Sequence, residues 1–141
     1  MENEKLWQRM LSGKMYNDLS SELMKKRKVV LLTNRYNRSY GEAQRVRESI
    51  LRDILGGMGE NVNFEPDFRC EFGSNIFIGN NFFANFDCVI LDCNRIVIGN
   101  NVLFGPRVGL YAGNYATHAE DRVAGGCSSK PITIGDNVWV G

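Results

Sequence analysis

One short phrase recurs along this chain and limits the folds that the chain can adopt. Ile-Gly-Asn-Asn stands at 78–81 and again at 98–101, and Ile-Gly-Asp-Asn stands at 134–137. An apolar residue follows each copy, and the copies begin 20 and 36 residues apart. Because self-similarity at a fixed period is the mark of stacked repeats, we expect these segments to occupy equivalent positions in a solenoid.

The two spacings are close to one and two units of 18 residues. A β-helical turn with three flat sides of about six residues has this length. Like residues of successive turns stack into apolar columns in a solenoid, so we predict two columns, which are Phe68, Phe86 and Phe104, and Phe72, Ile90 and Val108. The step of 20 from Ile78 to Ile98 then predicts a two-residue irregularity. A set of β-hairpins with Asn-rich turns is the alternative interpretation.

Composition indicates a globular chain of the cytoplasm. The 141 residues are 43% hydrophobic and 23% charged, which are ordinary values for a folded domain. No apolar run approaches the roughly 18 residues of a membrane span, and the polar residues 1–5 contain no signal-peptide core. We therefore expect a cytoplasmic location and no membrane partner.

The cysteines and the histidine argue against a metal site. The chain has four cysteines, none in a Cys-x-x-Cys pair, and a single histidine. Thiols persist in the cytoplasm, and we expect these to be buried as small apolar side chains. A metal-dependent β-helical enzyme of the carbonic anhydrase kind needs clustered histidines, which this chain lacks.

Charge divides the chain into two halves. Residues 1–52 hold twelve Lys and Arg against six Asp and Glu, whereas residues 53–141 hold five against ten. A basic half is one indication of nucleic-acid binding. The basic residues are not interleaved with aromatic side chains, so we expect no nucleic-acid partner and predict that basic helices dock on an acidic solenoid.

Helices precede the repeats. Apolar residues at helical spacing predict helices at about 3–12, 20–36 and 42–55. We therefore predict a helical segment over 1–59 and a β-helix over 60–141.

The β-helical pattern has one interruption. Residues 111–130 are rich in Ala, Gly and Ser, contain His118, and predict a loop that leaves the solenoid. Long loops in compact domains are usually functional. The pattern resumes at Pro131 and stops at Gly141 within a repeat. Because terminal repeats are normally capped, we expect a truncated β-helix or one that another chain completes.

Several segments together resemble the maltose and galactoside O-acetyltransferases of the hexapeptide-repeat acyltransferase superfamily. They cover nearly the whole chain and lie at 10–18, 65–70, 73–76, 81–86 and 130–139. The resemblance implies a mainly β fold, in which a left-handed parallel β-helix follows an N-terminal helical segment. It also implies a homotrimer with active sites between adjacent β-helices, and transfer of an acetyl group from acetyl-CoA to a sugar hydroxyl.

The resemblance also assigns site residues. Asn85 matches an active-site asparagine, and Trp139 matches a tryptophan near coenzyme A. The positions at the acceptor site are Asp18, Arg27, Glu71, Phe83 and Asp92. Purely structural roles remain open for three of them, because Asn85 fits a corner, Asp18 fits a helix cap and Asp92 fits a turn.

The general base is the point at which this chain departs from the family. A sugar hydroxyl needs a base to remove its proton during attack on the thioester, and the family uses a histidine on the extended loop. Ungapped counting from Pro106 and from Pro131 puts Tyr115 at that position, with His118 three residues later. Free tyrosine has a pKa of about 10 and is a poor base at pH 7. We therefore predict His118 as base, with a solvated loop histidine as the alternative.

Two functions follow from these residues. The first is acetyl-CoA-dependent O-acetylation of a sugar of the maltose, glucose or galactoside class. The alternative is a catalytically inactive homologue that acts as a trimeric sugar-binding or assembly protein. Tyr115 and the short β-helix favour the alternative, whereas the family motifs elsewhere favour the enzyme.

Overall fold

The computed structural model describes the backbone of residues 2–141 and side chains from residue 5 onward. Residue 1 of the predicted helical segment lies outside the described residues. The first part of the chain is mainly helical: α1 (Glu2–Leu11), β1 (Tyr16–Asn17), α2 (Ser21–Lys26), a 3₁₀ turn (Arg27–Val29), α3 (Val30–Arg38) and α4 (Gln44–Ile54). No helix within the described residues is long and apolar enough to cross a membrane.

The predicted helix at 20–36 is divided into three pieces. Its start is as expected, because the Ser20 hydroxyl accepts a hydrogen bond from the Leu23 N–H at 3.4 Å. The 3₁₀ turn then interrupts it at two adjacent β-branched residues, Val29 and Val30, which fit the helix less well than unbranched residues. The other two predicted helices correspond to α1 and α4.

The rest of the chain forms a parallel β-helix of three-sided coils. The first coil consists of β2 (Gly57–Met58), β3 (Val62–Phe64) and β4 (Arg69–Cys70), and the second of β5 (Ile76–Ile78), β6 (Phe82–Ala84) and β7 (Val89–Leu91). The third consists of β8 (Ile96–Ile98), β9 (Val102–Phe104) and β10 (Gly109–Tyr111). Equivalent strands pair in parallel, in the orders β10-β7-β4, β13-β8-β5-β2 and β14-β9-β6-β3.

The predicted 18-residue register is wrong, because each regular coil has 20 residues. Val62 pairs with Phe82, which pairs with Val102, and Ile76 pairs with Ile96. Each strand of the second coil has three residues, and its corners are 79–81, 85–88 and 92–95. The second and third corners have four residues instead of three, which adds the two residues. The 20-residue step was therefore the regular one.

The predicted aromatic column shows the consequence of the wrong register. Phe104 is 1% exposed and Phe68 is buried, but Phe86 lies in a corner and is 46% exposed. The rings that stack inside the coils are Phe64, Phe82 and Phe104, with centroids 5.0 and 5.1 Å apart.

The recurring phrase forms the tight corner of each coil. Its second Asn adopts a left-handed backbone, with φ of 58° at Asn81, 57° at Asn101 and 59° at Asn137. Asparagine tolerates this region better than most residues do. The side chains form a ladder, in which the Asn81 Nδ2 donates to the Asn101 Oδ1 at 3.0 Å and the Asn101 Nδ2 donates to the Asn137 Oδ1 at 3.0 Å.

The helices α3 and α4 pack against the first coil. The Tyr36 hydroxyl accepts from the Phe64 N–H at 3.0 Å and donates to the Phe64 carbonyl at 3.3 Å. The buried Arg47 donates from Nη2 to the same carbonyl at 2.9 Å. These contacts bind backbone groups of the coil that no preceding strand pairs, and they join the helical segment to the β-helix.

Sixteen residues are inserted after the third coil. The corner between β10 and β13 (Ile132–Ile134) runs over 112–131 and has 20 residues, whereas the equivalent corner 92–95 has four. The 36-residue spacing of the phrase is therefore one coil with an insertion, and the expectation of two 18-residue units is wrong. The last strand is β14 (Trp139–Val140).

The insertion, which we call the excursion (112–131), is more ordered than the predicted loop. It contains β11 (Gly113–Tyr115), α5 (Ala119–Val123) and β12 (Gly126–Ser129). β12 pairs antiparallel with β11 on one side and with β1 on the other. The segment around Tyr16, predicted as a connection, is therefore the edge strand of a three-stranded sheet.

Candidate active site

A pocket of about 250 Å³ lies where β1, the corner after β4 and the excursion meet. Two carboxylates, Asp18 and Glu71, line it, and we call it the carboxylate pocket. The remaining lining residues are Tyr16, Leu91, Cys93, Tyr111, Gly113, Asn114, Tyr115 and Cys127. The pocket thus combines residues from both ends of the chain, which the pairing of β1 with β12 brings together.

Arg27 holds the two carboxylates in position. Its Nη2 donates to Glu71 Oε1 at 2.7 Å and to Asp18 Oδ1, and its Nε donates to Glu71 Oε1 at 3.2 Å. Burial opposes the charge of the guanidinium, but the bonds to Glu71 and Asp18 outweigh it and raise the pKa of Arg27. Three of the residues predicted at the acceptor site therefore form one ion-paired group.

Asp92 lies beneath this group. It is fully buried, and its carboxylate accepts from the N–H groups of Glu71 at 3.1 Å, Phe72 at 2.9 Å and Asn75 at 3.2 Å. Burial raises the pKa of the Asp92 carboxyl to about 6, and the backbone hydrogen bonds only partly oppose that effect. The structure places Asp92 where it orients the backbone of Glu71, and Asp92 does not line the pocket.

The thiols in the pocket wall are uncharged near neutral pH. Burial raises the pKa of Cys93 to about 11 and also raises that of Cys127. Cys93 packs so closely against Gly113 that a Cβ there would lie 2.6 Å from the Cys93 Sγ, so this position requires glycine. Three of the four cysteines are buried, as the sequence predicted.

His118 lines a different cavity of about 310 Å³, which we call the histidine cavity. The residue is exposed and precedes α5, and its carbonyl accepts from the Arg122 N–H at 3.0 Å. Asn114, Tyr115 and Cys127 line both cavities. Tyr115 therefore separates the predicted base from the carboxylates within one chain.

Three further predicted site residues lie on the outer surface of the β-helix, and neither cavity includes them. Asn85 begins the corner after β6, and its Oδ1 accepts from the Phe86 N–H at 2.8 Å. Phe83 and Trp139 both pair with Leu103 in the β14-β9-β6-β3 sheet. The outward positions of this sheet thus form a row of apolar side chains, in which Leu103 is 51% and Trp139 75% exposed.

Sequence reasoning did not identify Tyr16, Cys93 or Cys127 as lining residues. Their types suggest core packing, and their position depends on the pairing of β1 with β12. No residue pattern near Tyr16 marks so short a strand. Among the described residues, no group of three or more His, Cys, Asp or Glu could hold a metal ion.

Comparison with known proteins gives a consistent result. A family profile described as the maltose acetyltransferase hexapeptide capping motif matches residues 9–59. Galactoside O-acetyltransferase of Escherichia coli (strain K12) is 39% identical over 140 residues, which cover 99% of this chain and 69% of that protein.

Solved structures agree with this match. A maltose O-acetyltransferase from Clostridium difficile 630 superposes with a TM-score of 0.90 at 40% identity, over 95% of this chain and 72% of the other. A galactoside acetyltransferase in complex with coenzyme A superposes with a TM-score of 0.79 at 33% identity, over 95% and 68%. These chains share the left-handed parallel β-helix predicted from the sequence. The chain belongs to the galactoside and maltose O-acetyltransferase family of hexapeptide-repeat acetyltransferases.

Proposed function

We propose that this protein transfers an acetyl group from acetyl-CoA to a hydroxyl group of a sugar, as a homotrimer in the cytoplasm. The observation that carries the proposal is the carboxylate pocket, in which Arg27 fixes Asp18 and Glu71. Acetyl-CoA as donor is supported by the coenzyme A complex of the matching structure. The reduced thiols suit the cytoplasm.

The pocket supplies groups that suit a sugar. A carboxylate accepts hydrogen bonds from hydroxyl groups, and tyrosine rings contact the apolar face of a sugar ring while their hydroxyls hydrogen-bond. Asp18 and Glu71 provide the acceptors, and Tyr111 and Tyr115 provide exposed rings. Because Arg27 fixes the carboxylates before binding, the sugar loses less freedom in reaching a reactive orientation.

The reaction needs a base and an oxyanion donor. In the proposal the His118 imidazole takes the proton of the attacking sugar hydroxyl, and the hydroxyl oxygen forms a bond to the thioester carbonyl carbon of acetyl-CoA. The tetrahedral oxyanion then collapses, the carbon–sulfur bond breaks and the thiol of coenzyme A leaves. The Asn85 Oδ1 is engaged by Phe86 N–H, so its Nδ2 amide is the group proposed to stabilise the oxyanion.

Assembly connects residues that are separate in one chain. His118 lines the histidine cavity, whereas Asn85 lies on the outer surface of the β-helix. A site between adjacent copies would combine them. The exposed apolar row of Phe83, Leu103 and Trp139 supports such an interface, and the Trp139 indole is the group proposed to contact coenzyme A. In this proposal, residues 1–59 cap the first coil, and residues 60–141 form the catalytic β-helix.

A sugar-binding protein without turnover is the second candidate, and one observation favours it. Tyr115 lines both cavities, and His118 lines only the histidine cavity. Unless a neighbouring copy brings a histidine to the carboxylate pocket, a bound sugar would have no base within reach.

Release of coenzyme A from acetyl-CoA tests the proposal, with glucose, maltose and a galactoside as acceptors. We expect sugar-dependent release, and we expect His118→Ala to lower kcat about 10²- to 10⁴-fold, since general-base catalysis contributes this much. Tyr115→Phe removes only the competing hydroxyl and should lower kcat less than about tenfold.

The opposite ranking of the two variants would assign the base to Tyr115. No release by folded protein that still binds sugar would establish the second candidate.

A further inference from the structure

The charge of the carboxylate pocket is unbalanced. Asp18 and Glu71 are its only ionised lining residues at pH 7, since no Lys, Arg or His lines it among the described residues. Arg27 pairs with both carboxylates, so these three side chains together carry one net negative charge. Their side chains are 17–26% exposed, which limits screening by solvent.

Arg27 has no donor left for a ligand. A guanidinium has five N–H groups, and the Arg27 side chain makes five contacts. Nε and Nη2 contact Glu71 Oε1 and Asp18 Oδ1, while Nη1 donates to the Asp18 carbonyl at 3.1 Å and to the Met24 Sδ at 3.7 Å. An anionic group on an acceptor would therefore find no cationic donor in this pocket.

Each carboxylate has one oxygen left for a ligand. Arg27 bonds only to Oδ1 of Asp18 and only to Oε1 of Glu71. Within the part of the chain that the structure describes, Asp18 Oδ2 and Glu71 Oε2 accept no hydrogen bond. Both belong to residues that line the pocket.

Aromatic rings complete the environment. Tyr16, Tyr111 and Tyr115 line the same pocket as the two carboxylates. The face of a tyrosine ring attracts a cation, and an ammonium group has three donors for the remaining carboxylate oxygens. Charge, hydrogen-bonding capacity and ring chemistry thus favour the same kind of ligand.

We propose that the preferred acceptor is an amino sugar bound as its ammonium ion, with Glu71 Oε2 and Asp18 Oδ2 as the atoms that bind the ammonium group. This inference rests on the proposed acetyl transfer to a sugar and names its substrate class. The acetylated group is a neighbouring hydroxyl of the same sugar, so the product is an ester and the amine keeps its charge. Neutral sugars bind more weakly, and acidic sugars are rejected.

Binding of three matched sugars tests the proposal independently of turnover. Glucose, glucosamine and glucuronate have the same ring and differ in charge, and calorimetry on the full chain gives Kd for each. We expect glucosamine to bind at least tenfold more tightly than glucose, glucuronate to bind at least tenfold more weakly, and the preference for glucosamine to decrease as salt is added.

Two variants connect the preference to the pocket. Glu71→Gln removes one charge and keeps the shape, and it should reduce the glucosamine-to-glucose ratio to less than threefold; Asp18→Asn should act in the same direction. Glu60→Gln is the matched control, because the Glu60 side chain is 82% exposed on a distant corner, and the ratio should not change. Thermal unfolding checks that each variant is folded.

Kinetics separates failure of this inference from failure of the proposed function. Release of coenzyme A with glucose but no preference for glucosamine overturns the cationic acceptor and leaves acetyl transfer in place. Tight glucosamine binding without release supports the cationic pocket and overturns the transferase activity. Equal binding of glucosamine and glucose, no binding of glucosamine, or a preference that survives in both variants overturns the inference. Alkali-labile acetyl groups on the product would confirm an ester.

Discussion

The coils and the excursion lie side by side but are stabilised by different kinds of contact. In the coils, residues 20 positions apart pair in parallel, and the same corner phrase recurs in each turn. In the excursion, Cys127 pairs with Tyr16 from the other end of the chain and with Tyr115 from a local hairpin. Repetition therefore determines the scaffold, whereas single long-range contacts determine the shape of the pocket.

The largest expected effect is in the core of the coils, where the two registers make opposite predictions. Phe104 stacks on Phe82 and is 1% exposed, whereas Phe86 is 46% exposed. We expect Phe104→Ala to lower the free energy of unfolding by about 3–5 kcal/mol, the usual cost of removing a buried phenylalanine. Phe86→Ala is the matched control and should change it by about 0.5 kcal/mol or less.

Denaturant unfolding of both variants measures this difference. Equal losses would restore the 18-residue register, in which Phe68, Phe86 and Phe104 form one column. A loss confined to Phe104→Ala would support the 20-residue coil.

The next effect is at Asp92, where the coils meet the pocket. Burial raises its pKa to about 6 in the folded protein, above the value of about 3.9 for a free aspartate. The folded state therefore binds this proton more strongly than the unfolded state does. The stabilisation from Asp92 is complete below about pH 4 and is lost as the pH rises through about 6.

Unfolding of the wild type and of Asp92→Asn as a function of pH tests this assignment. The difference in unfolding free energy, wild type minus variant, should fall by about 2–3 kcal/mol from pH 4 to pH 7. The asparagine does not titrate, so groups common to both proteins cancel. Curves that remain parallel would show that Asp92 has the same pKa in the folded and unfolded states.

The scaffold was more predictable than the pocket, and particular residues show why. The recurring phrase correctly predicted a β-helix, because Asn81, Asn101 and Asn137 take the left-handed corner that asparagine tolerates. It did not give the register, since an extra residue in the corners 85–88 and 92–95 leaves no mark in the hydrophobic pattern.

The candidate site depended on resemblance and on pairing. Asp18, Arg27 and Glu71 are brought together as one group, and their functional roles remain predictions. Cys93 and Cys127 entered the pocket wall only through the pairing of β1 with β12. Two residues of β1 are too few for any hydrophobic periodicity, so sequence reasoning had no signal for this contact.

The smallest expected effect is in the contact between α1 and the excursion. The buried Ser129 hydroxyl donates to the Met10 carbonyl at 2.7 Å and accepts from the Asn94 Nδ2 at 3.0 Å. Ser129→Ala leaves both groups without this partner, so we expect a loss of about 1–3 kcal/mol in unfolding free energy. Ser128→Ala, at the adjacent half-buried position of β12, is the control and should change it by about 0.5 kcal/mol or less.

Hydrogen exchange determines where the loss occurs. Because Ser129 joins β12 to α1 and not to the coils, Ser129→Ala should speed exchange of the amides of β11 and β12 more than that of the β5, β8 and β9 amides. Glucosamine binding should weaken together with the loss of protection, since β12 carries Cys127 in the pocket wall. Equal acceleration in the coils and the excursion would mean that the two regions unfold as one cooperative unit, and the distinction between scaffold and pocket would then apply to their sequences and not to their stability.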